Sequence, residues 1–466
     1  MTETEHYKNL VLGSGEAGKN IAWTLAKAGE RTAVVERGLI GGSCPNIACM
    51  PSKNIIHSAK VASYFNRAKE FGIKVRSFSV DMRGVQIRKT TMVDGLIQLH
   101  LSNYQKSGAE LILGNGRFIA PRTLEVITNE GETLRLSADR IFLNVGTHAT
   151  VPNIPGLIDA RPMTHVELLD LERIPEHLIV LGGGSVGLEL GQAMRRHGSR
   201  VTIIEIRSHL LGREDPDVSD AILELFKDEG IDVLLNTRLL GVSGTSGESL
   251  RVKVDRAGKQ AQLEGSDILV AVGRTPNTQD LGLRETGIEL DDRGYNRVTD
   301  RLQTTAANVW ALGECAGSPQ FTHVAFDDFR VVHSNLNGGD RTTRGRLVPF
   351  CIFTDPELAR VGLNESEAKK LGIEYRLAIM PVKAILRART LSEERGFLKM
   401  LIDEHSNRIL GFTAFCAEGG ELMAVVQTVI LNGIPFTSLR DAIFTHPTMA
   451  EGLNGLLKDV RDISLS

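Results

Sequence analysis

Little in this chain suits a secreted, membrane-spanning or nucleic-acid-binding protein. Its 466 residues hold five cysteines, Cys44, Cys49, Cys315, Cys351 and Cys416, too few and too scattered for a disulfide framework. No apolar run reaches the roughly eighteen residues that a membrane-spanning helix needs. Charge of one sign is missing too. The 54 basic and 57 acidic residues leave a net charge of -3, with no basic face for nucleic acid and no single-sign field for steering. The C-x4-C spacing of Cys44 and Cys49 is not the C-x2-C of structural zinc sites. A strand expected over residues 7–12 leaves no room for a signal or transit peptide, so a cytoplasmic location is expected.

What is there is ordinary in bulk and specific in detail. A composition of 42% hydrophobic and 24% charged residues fits a globular protein. The length sets about two to four domains. Glycines number 47, and many fall in turn motifs. One such turn, Gly13-Ser14-Gly15-Glu16-Ala17-Gly18, follows an apolar strand and precedes a helical pattern over residues 19–28. A second, Gly182-Gly183-Gly184-Ser185-Val186-Gly187, lies between an apolar strand at 178–181 and a helical pattern over 188–197. Each module then has a second strand ending in an acid, Glu36 or Glu205, and all four markers recur at one constant offset.

The physics explains that spacing. The first glycine permits the tight turn, the second lets the backbone approach a pyrophosphate, and the third lets the helix pack on the sheet. The helix N-terminus holds the phosphates and the acid receives ribose hydroxyls. Two such modules in register point to two dinucleotide sites. Buried strands ending at glycine turns follow at 141–147, 268–277 and 309–314, an alternating charge-rich meander lies at 250–263, and a mixed α+β pattern begins near residue 347.

Directly after the first module comes Gly41-Gly42-Ser43-Cys44-Pro45-Asn46-Ile47-Ala48-Cys49-Met50-Pro51-Ser52-Lys53. Across a regular helix, cysteines at this spacing are separated by an axial rise of roughly 7.5 Å, beyond the ~6.8 Å that a disulfide's Cα atoms tolerate. If the two pair, the backbone between them is distorted, and strained disulfides are the easily reduced ones. Cys315, Cys351 and Cys416 read as bland thiols.

Taken in order, GSGEAG, GGSCPNIACMPSK, GGGSVGLEL, VGRTPN, ALGECAG, FTDPELARVGL and FTHPTMAEGLN make the chain resemble the class I flavoprotein disulfide reductases. This is the group of dihydrolipoamide dehydrogenase, glutathione reductase and mercuric reductase, and the likeness covers nearly the whole chain. The resemblance implies an α/β fold of two Rossmann-like modules and a C-terminal α+β dimerisation domain. FAD would bind 1–150 and 277–345, a nicotinamide dinucleotide would bind 151–276, and 346–466 would form the interface. Cys44 would attack substrate and Cys49 would form the charge-transfer thiolate against the flavin. Lys53 and Glu189 would pair beside flavin N5. His446, oriented by Glu451, would enter the other subunit's site as acid/base in a homodimer. Gly13, Gly15, Gly18 and Glu36 of the first module, with Gly313 and Glu314, would serve FAD. Gly182, Gly184, Gly187 and Glu205 of the second module would serve the nicotinamide dinucleotide, NADH being preferred at Glu205 with NADPH admissible through Arg207. Gly42, Ser43, Gly146, Thr147, Gly273, Arg274 and His323 would be further cofactor-binding residues. No resident metal is implied.

Two departures stand out: Glu314 where the family has Asp, and Ala48 where it has glycine before the second cysteine. Without an N-terminal CxxC or a C-terminal cysteine pair, the chain differs from mercuric reductase proper and from high-molecular-weight thioredoxin reductase. Around 320–330 and 444–451 it resembles the mercuric-reductase-like branch that includes enzymes of reactive-chlorine resistance and copper(II) reduction. Two acceptors compete: a small disulfide, as for dihydrolipoamide dehydrogenase, and a metal ion or oxidant. A non-catalytic scaffold would have lost a cysteine, and a flavin monooxygenase would not need the pair.

Overall fold

The computed structural model describes residues 4–463. The first module runs β1 (Thr4–Leu12), α1 (Glu16–Lys27), β2 (Thr32–Glu36), α2 (Ser43–Asn46), α3 (Cys49–Asn66), α4 (Met82–Ser107), β3 (Glu110–Ala120), β4 (Thr123–Thr128), β5 (Thr133–Leu143) and β6 (Thr147–Ala149). Strands β1, β2 and the start of β3 pair in parallel, and β1 also pairs in parallel with β5. The rest of β3 turns antiparallel onto β4, which pairs with β5.

Both faces of the parallel part of this sheet are buried, so β2 and the ends of β1 and β5 carry continuous apolar runs, whereas the antiparallel β3–β4 stretch alternates. Leu10, Leu12, Ala33, Val35, Ile141 and Leu143 pack on one side. Val11, Val34 and Phe142 pack on the other against Ala17, Ile21 and Leu25 of α1. Those α1 residues fall on one face at helical spacing, with Glu16 in the first turn and Lys27 in the last complementing the helix dipole.

The second module runs α5 (His165–Leu169), β7 (His177–Leu181), α6 (Ser185–His197), β8 (Arg200–Ile204), α7 (Pro216–Asp228), β9 (Asp232–Leu234), β10 (Thr237–Thr245), β11 (Ser249–Arg256), β12 (Lys259–Gly265), β13 (Asp267–Val270) and β14 (Arg274–Pro276). A parallel sheet of order β13-β7-β8-β9 has α6 and α7 on one face. The antiparallel meander β10-β11-β12 supplies Leu250, Val252 and Val254 to the other face, against Ile179 and Leu181. The alternating segment read at 250–263 is this meander. Next, β15 (Val309–Ala311) returns to the first sheet beside β5, and α8 (Thr322–Leu336) adds Val331 and Val332 to the α1 side.

The remaining chain forms β16 (Phe350–Ile352), β17 (Glu357–Gly362), α9 (Glu365–Leu371), β18 (Tyr375–Pro381), α10 (Leu386–Leu391), β19 (Phe397–Asp403), β20 (Ile409–Cys416), α11 (Gly419–Leu431), α12 (Thr437–Arg440) and α13 (Gly452–Leu457). Its antiparallel sheet has the order β16-β17-β20-β19-β18. One face packs Leu398, Met400, Phe412 and Ala414 against Leu422, Val426, Leu453 and Leu457. The architecture is therefore α/β with a terminal α+β unit.

Residues on β19 alternate, so Lys399 points away from that core. It is fully buried, with its Nζ 2.8 Å from Asp215 and Asp217 at the start of α7 and 3.2 Å from Glu365 of α9. Asp215 also accepts from the backbone N–H groups of Glu365 and Ser366. The cluster ties the second module to the terminal unit. Lys399→Met should leave these carboxylates without their cation and cost about 3–5 kcal/mol of unfolding free energy, as for other broken buried ion pairs. Urea denaturation measures it, with part of the loss recovered in Lys399→Met/Asp215→Asn. A loss below ~1 kcal/mol would contradict this reading of the cluster.

Candidate active site

Both glycine turns bring backbone so close to backbone that a side chain has no room. Gly13 has φ +98°, and a Cβ there would sit 2.4 Å from the Asn144 carbonyl oxygen. Gly182 has φ +112°, with its Cβ position 2.4 Å from the Ala271 oxygen. Cβ atoms on Gly18 and Gly187 would lie 2.2 and 2.1 Å from the Gly13 and Gly182 oxygens, which seats each helix on its turn. Gly15 faces Asn144, and Gly42 faces Gly15 with a Cβ position 2.5 Å from its Cα. Gly184, by contrast, faces open space at the N-terminus of α6. A dinucleotide pyrophosphate fits such a place, since backbone N–H groups and the helix dipole face it.

The two acids close their turns. Glu36 accepts from the Ser14 N–H at 2.9 Å and hydroxyl at 2.7 Å, and from the N–H groups of Gly38 and Leu39 at 2.9 Å. Glu205 accepts from the Gly183 N–H at 2.7 Å and the Arg207 N–H at 2.9 Å. Asn144 went unrecognised in the sequence. It accepts from the Gly18 N–H and donates to the Leu312 carbonyl, both at 2.9 Å, and so joins the first turn to the segment after β15.

Cys44 lies in the short α2, and Cys49 is the first residue of the long α3. Helical geometry breaks between them, at Ile47 (φ -136°, ψ 5°) and Ala48 (φ -133°, ψ -101°). The distortion expected from the cysteine spacing is present. Because φ of Ala48 is negative, alanine in place of the family's glycine demands no left-handed backbone. Both thiols are reduced and half-buried. The Cys49 sulfur lies 3.4 Å from the Thr322 hydroxyl at the start of α8.

The two thiols act on each other in opposite directions. The hydrogen bond from Cys44 holds the Cys49 thiol below the ordinary thiol value despite its burial, with help from Thr322 and the Lys53 ammonium. The same bond, burial and the Glu16 carboxylate push Cys44 up. Negative charge therefore belongs on Cys49, whose place at a helix N-terminus favours it further. One turn on, the Lys53 Nζ lies 2.8 Å from Glu189 and 4.7 Å above the Phe353 ring, while Glu189 accepts from the Phe353 N–H at 2.9 Å.

The other expected residues lie as follows. Glu314 accepts from the Thr147 hydroxyl and from Arg274 Nε at 3.2 Å, so its longer arm reaches toward the strand pair β6–β14. The Gly313 N–H donates to Asp328 at 2.7 Å. Asp328 is fully buried, also holds Ser318 and Arg346, and was another residue missed in the sequence. Gly146 accepts from the Asn277 N–H and Gly273 from the Thr150 N–H, both at 3.0 Å. Ser43 opens α2, its carbonyl accepting from the Ile47 N–H at 2.9 Å. His323 stacks on Phe321 at 5.2 Å and bonds the Pro349 carbonyl at 2.8 Å.

His446 bonds Glu451 through Nδ1 at 3.0 Å and is otherwise open, with 59% of its side chain exposed in the single chain. The apolar residues of this unit divide into two groups. Met449, Leu453, Leu456 and Leu457 are buried within their own domain because α13 packs on the sheet. Leu371, Leu377, Ile379, Leu386, Leu431, Ile434 and Ile443 are the large apolar side chains exposed among the described residues of this unit.

Two family models cover most of the chain: pyridine nucleotide-disulphide oxidoreductase over residues 7–328, and the dimerisation domain of that family over 348–456. The probable pyridine nucleotide-disulfide oxidoreductase RclA of Escherichia coli is 37% identical over 462 residues, 98% of this chain and 99% of the relative. The mercuric reductase of Shigella flexneri is 34% identical over 464 residues, 97% of this chain and 81% of the relative. A solved structure described as the Cu(II) complex of HOCl-induced flavoprotein disulfide reductase RclA from Escherichia coli superposes with a TM-score of 0.89. It is 36% identical, over 98% of this chain and all of that one.

The charge placement makes a pH prediction. Burial pushes Cys315 up to about 11, Cys416 up to about 12 and Cys351 higher still, so these thiols stay silent near neutrality. In the reduced protein one thiolate per chain should titrate, with a midpoint below the ordinary ~8.5 of a free cysteine. Because the folded value is depressed, the associated stability is complete above the unfolded value and is lost as pH falls through the folded one. Absorbance at the thiolate band checks this. Cys49→Ser should abolish the titration, and Cys44→Ala should move it upward by removing the largest stabilising contact. A titration that survives Cys49→Ser would place the charge elsewhere.

Proposed function

We propose an electron path for this protein from the premise that the chain belongs to the pyridine nucleotide-disulphide oxidoreductase family. That family is FAD- and pyridine-nucleotide-dependent, and the chain is an FAD-dependent disulfide oxidoreductase carrying the family's dimerisation domain. The observation that carries the path is the broken helix that sets Cys49 at the start of α3, after Cys44 in α2 and one turn before the Lys53–Glu189 pair.

Residues 1–150 and 277–345 form the FAD-binding part, 151–276 the nicotinamide-binding part and 346–466 the interface, in a cytoplasmic homodimer. The return of β15 to the first sheet supports that division. Gly13, Gly15 and Gly18 admit the FAD pyrophosphate, and Gly182, Gly184 and Gly187 that of the nicotinamide dinucleotide. FAD supplies the two-electron carrier between reduced nicotinamide and sulfur. Two electrons and one proton convert a Cys44–Cys49 disulfide to the Cys44 thiol and the Cys49 thiolate.

His446 of the partner subunit takes the Cys44 proton, its free Nε2 acting while Glu451 fixes the tautomer through Nδ1. The Cys44 thiolate attacks one sulfur of a small disulfide, the substrate S–S bond breaks, and the leaving thiolate takes the proton back from His446. The Cys49 thiolate then attacks Cys44, expels the second substrate thiolate and restores the disulfide. A second reading has support from the relative solved as a Cu(II) complex. In that reading the Cys44 thiol and Cys49 thiolate pass one electron to each of two Cu(II) ions, forming the disulfide and two Cu(I) and releasing the one proton of Cys44.

Mixed dimers test the shared site. Cys44→Ser and His446→Ala homodimers should each lose disulfide turnover, the latter by the ~10²–10⁴ of lost acid/base catalysis while flavin reduction by NADH stays fast. A mixed dimer regains one complete site, so activity should reappear. No recovery in verified mixed dimers would mean that each site is built within one chain.

Steady-state assays with both coenzymes against lipoamide, glutathione disulfide, Cu(II) and Hg(II) test the rest. The Glu205 carboxylate repels a 2′-phosphate, so kcat/KM should favour NADH. Equal values or a preference for NADPH would refute that assignment. Turnover of a disulfide supports the first reading, and turnover of Cu(II) alone would replace it with the second.

A further inference from the structure

We propose that Asp355, with Lys60 and Arg196, is a positioning group that sets the Lys53–Glu189 pair from two helical turns away; this rests on the redox reading of Cys44 and Cys49. Lys60 lies about two turns beyond Lys53 on α3, and Arg196 about two turns beyond Glu189 on α6. Both levels are bridged by the same loop. At the first, Phe353 donates its N–H to Glu189 and lies under the Lys53 ammonium. At the second, the Asp355 carboxylate receives Lys60 at 3.0 Å and Arg196 at 2.5 Å. Between them Gln192 accepts from the Asp355 N–H at 2.8 Å and donates to its carbonyl at 3.0 Å. Glu229 occupies the other side of Arg196, at 2.7 and 3.0 Å.

The contrast between the levels carries the inference. Lys53 has one carboxylate contact and a third of its side chain exposed, so alone it is free to sample other positions. Asp355 and Arg196 are nearly buried, every charge at their level is matched, and Arg196 is held on two sides. Such groups contribute little net stability but fix geometry, since each alternative arrangement strands a charge. The helix that carries Cys49 and Lys53 is thereby locked to the helix that carries Glu189 through a loop of the terminal unit.

The test uses the full FAD-loaded chain, as wild type, Asp355→Asn, Lys60→Met and Lys60→Arg. FAD content and thermal melting confirm folding. Cys49 thiolate titration and single-turnover reduction by NADH are the readouts, the first independent of turnover. Lys60→Met and Asp355→Asn should shift the thiolate midpoint upward as the Lys53 ammonium moves away. They should slow reduction by up to the order of 10²-fold expected of a ~1 Å misplacement. Lys60→Arg should restore both, and KM for NADH should hold. Should Asp355→Asn fail to fold, Lys60→Met, whose lysine is 30% exposed, decides alone. Folded, loaded variants that titrate and react as wild type overturn the proposal. A wild-type protein without a depressed Cys49 titration overturns the redox reading, and this proposal with it.

Discussion

A break in the helical backbone at Ile47 and Ala48 is the constraint on which the whole site depends. In an unbroken helix Cys44 and Cys49 would be held apart by about 7.5 Å of axial rise, and Cys49 would be an interior residue whose sulfur feels no helix end. Breaking the helix makes Cys49 the first residue of α3 and lets Cys44 hold its thiol below the ordinary value. The same helix then delivers Lys53 one turn later to Glu189. Charge, contact and direction all follow from where that helix starts.

Around this helix the chain is held together by buried polar groups that act between elements distant in sequence. Asn144 joins the first glycine turn to the end of β15, and Asp328 anchors the Gly313 N–H with Ser318 and Arg346. Lys399 binds the start of α7 to β19 and α9. Each buried partner must be matched, because leaving one unpaired costs more than the bond gains. Hydrophobic burial shapes each sheet and its helices without directional preference. These polar contacts fix how the sheets face one another, and therefore where the cradles open.

Patterns that repeat or that carry unusual backbone were legible in the sequence. The two glycine turns, their acids and the parallel strands were readable because each needs particular residues at fixed spacing. The Lys53–Glu189 and His446–Glu451 pairs were readable only through motif resemblance, since taken singly they are unremarkable charges. Asn144, Thr322, Asp328, Asp355 and Lys399 carried no signal of their own; Thr322, Asp328 and Asp355 were legible only as members of longer motif segments. A single polar residue has no periodicity, and its partner lies far along the chain. At 449–457 the sequence shows only an apolar helical stripe, and the structure adds that Met449, Leu453, Leu456 and Leu457 pack on their own sheet.

The relative size of two effects explains why the dithiol calls for an external base. A helix N-terminus gives a charge about 0.3–1 kcal/mol, up to ~2 in a partly buried setting. A hydrogen bond to a charged group gives about 1.5–3 kcal/mol. The proton of Cys44 is thus the largest stabiliser of the Cys49 thiolate, and burial with Glu16 nearby opposes a second negative charge on Cys44. Taking that proton in advance of substrate would leave two thiolates in contact and remove the contact that holds the first. In the proposed path, proton removal therefore accompanies attack, when the charge leaving Cys44 passes into the new sulfur–sulfur bond and onto the leaving group. A base suited to that task keeps the proton close and returns it. An imidazole tied at Nδ1 by a carboxylate and free at Nε2, as at His446, has that form.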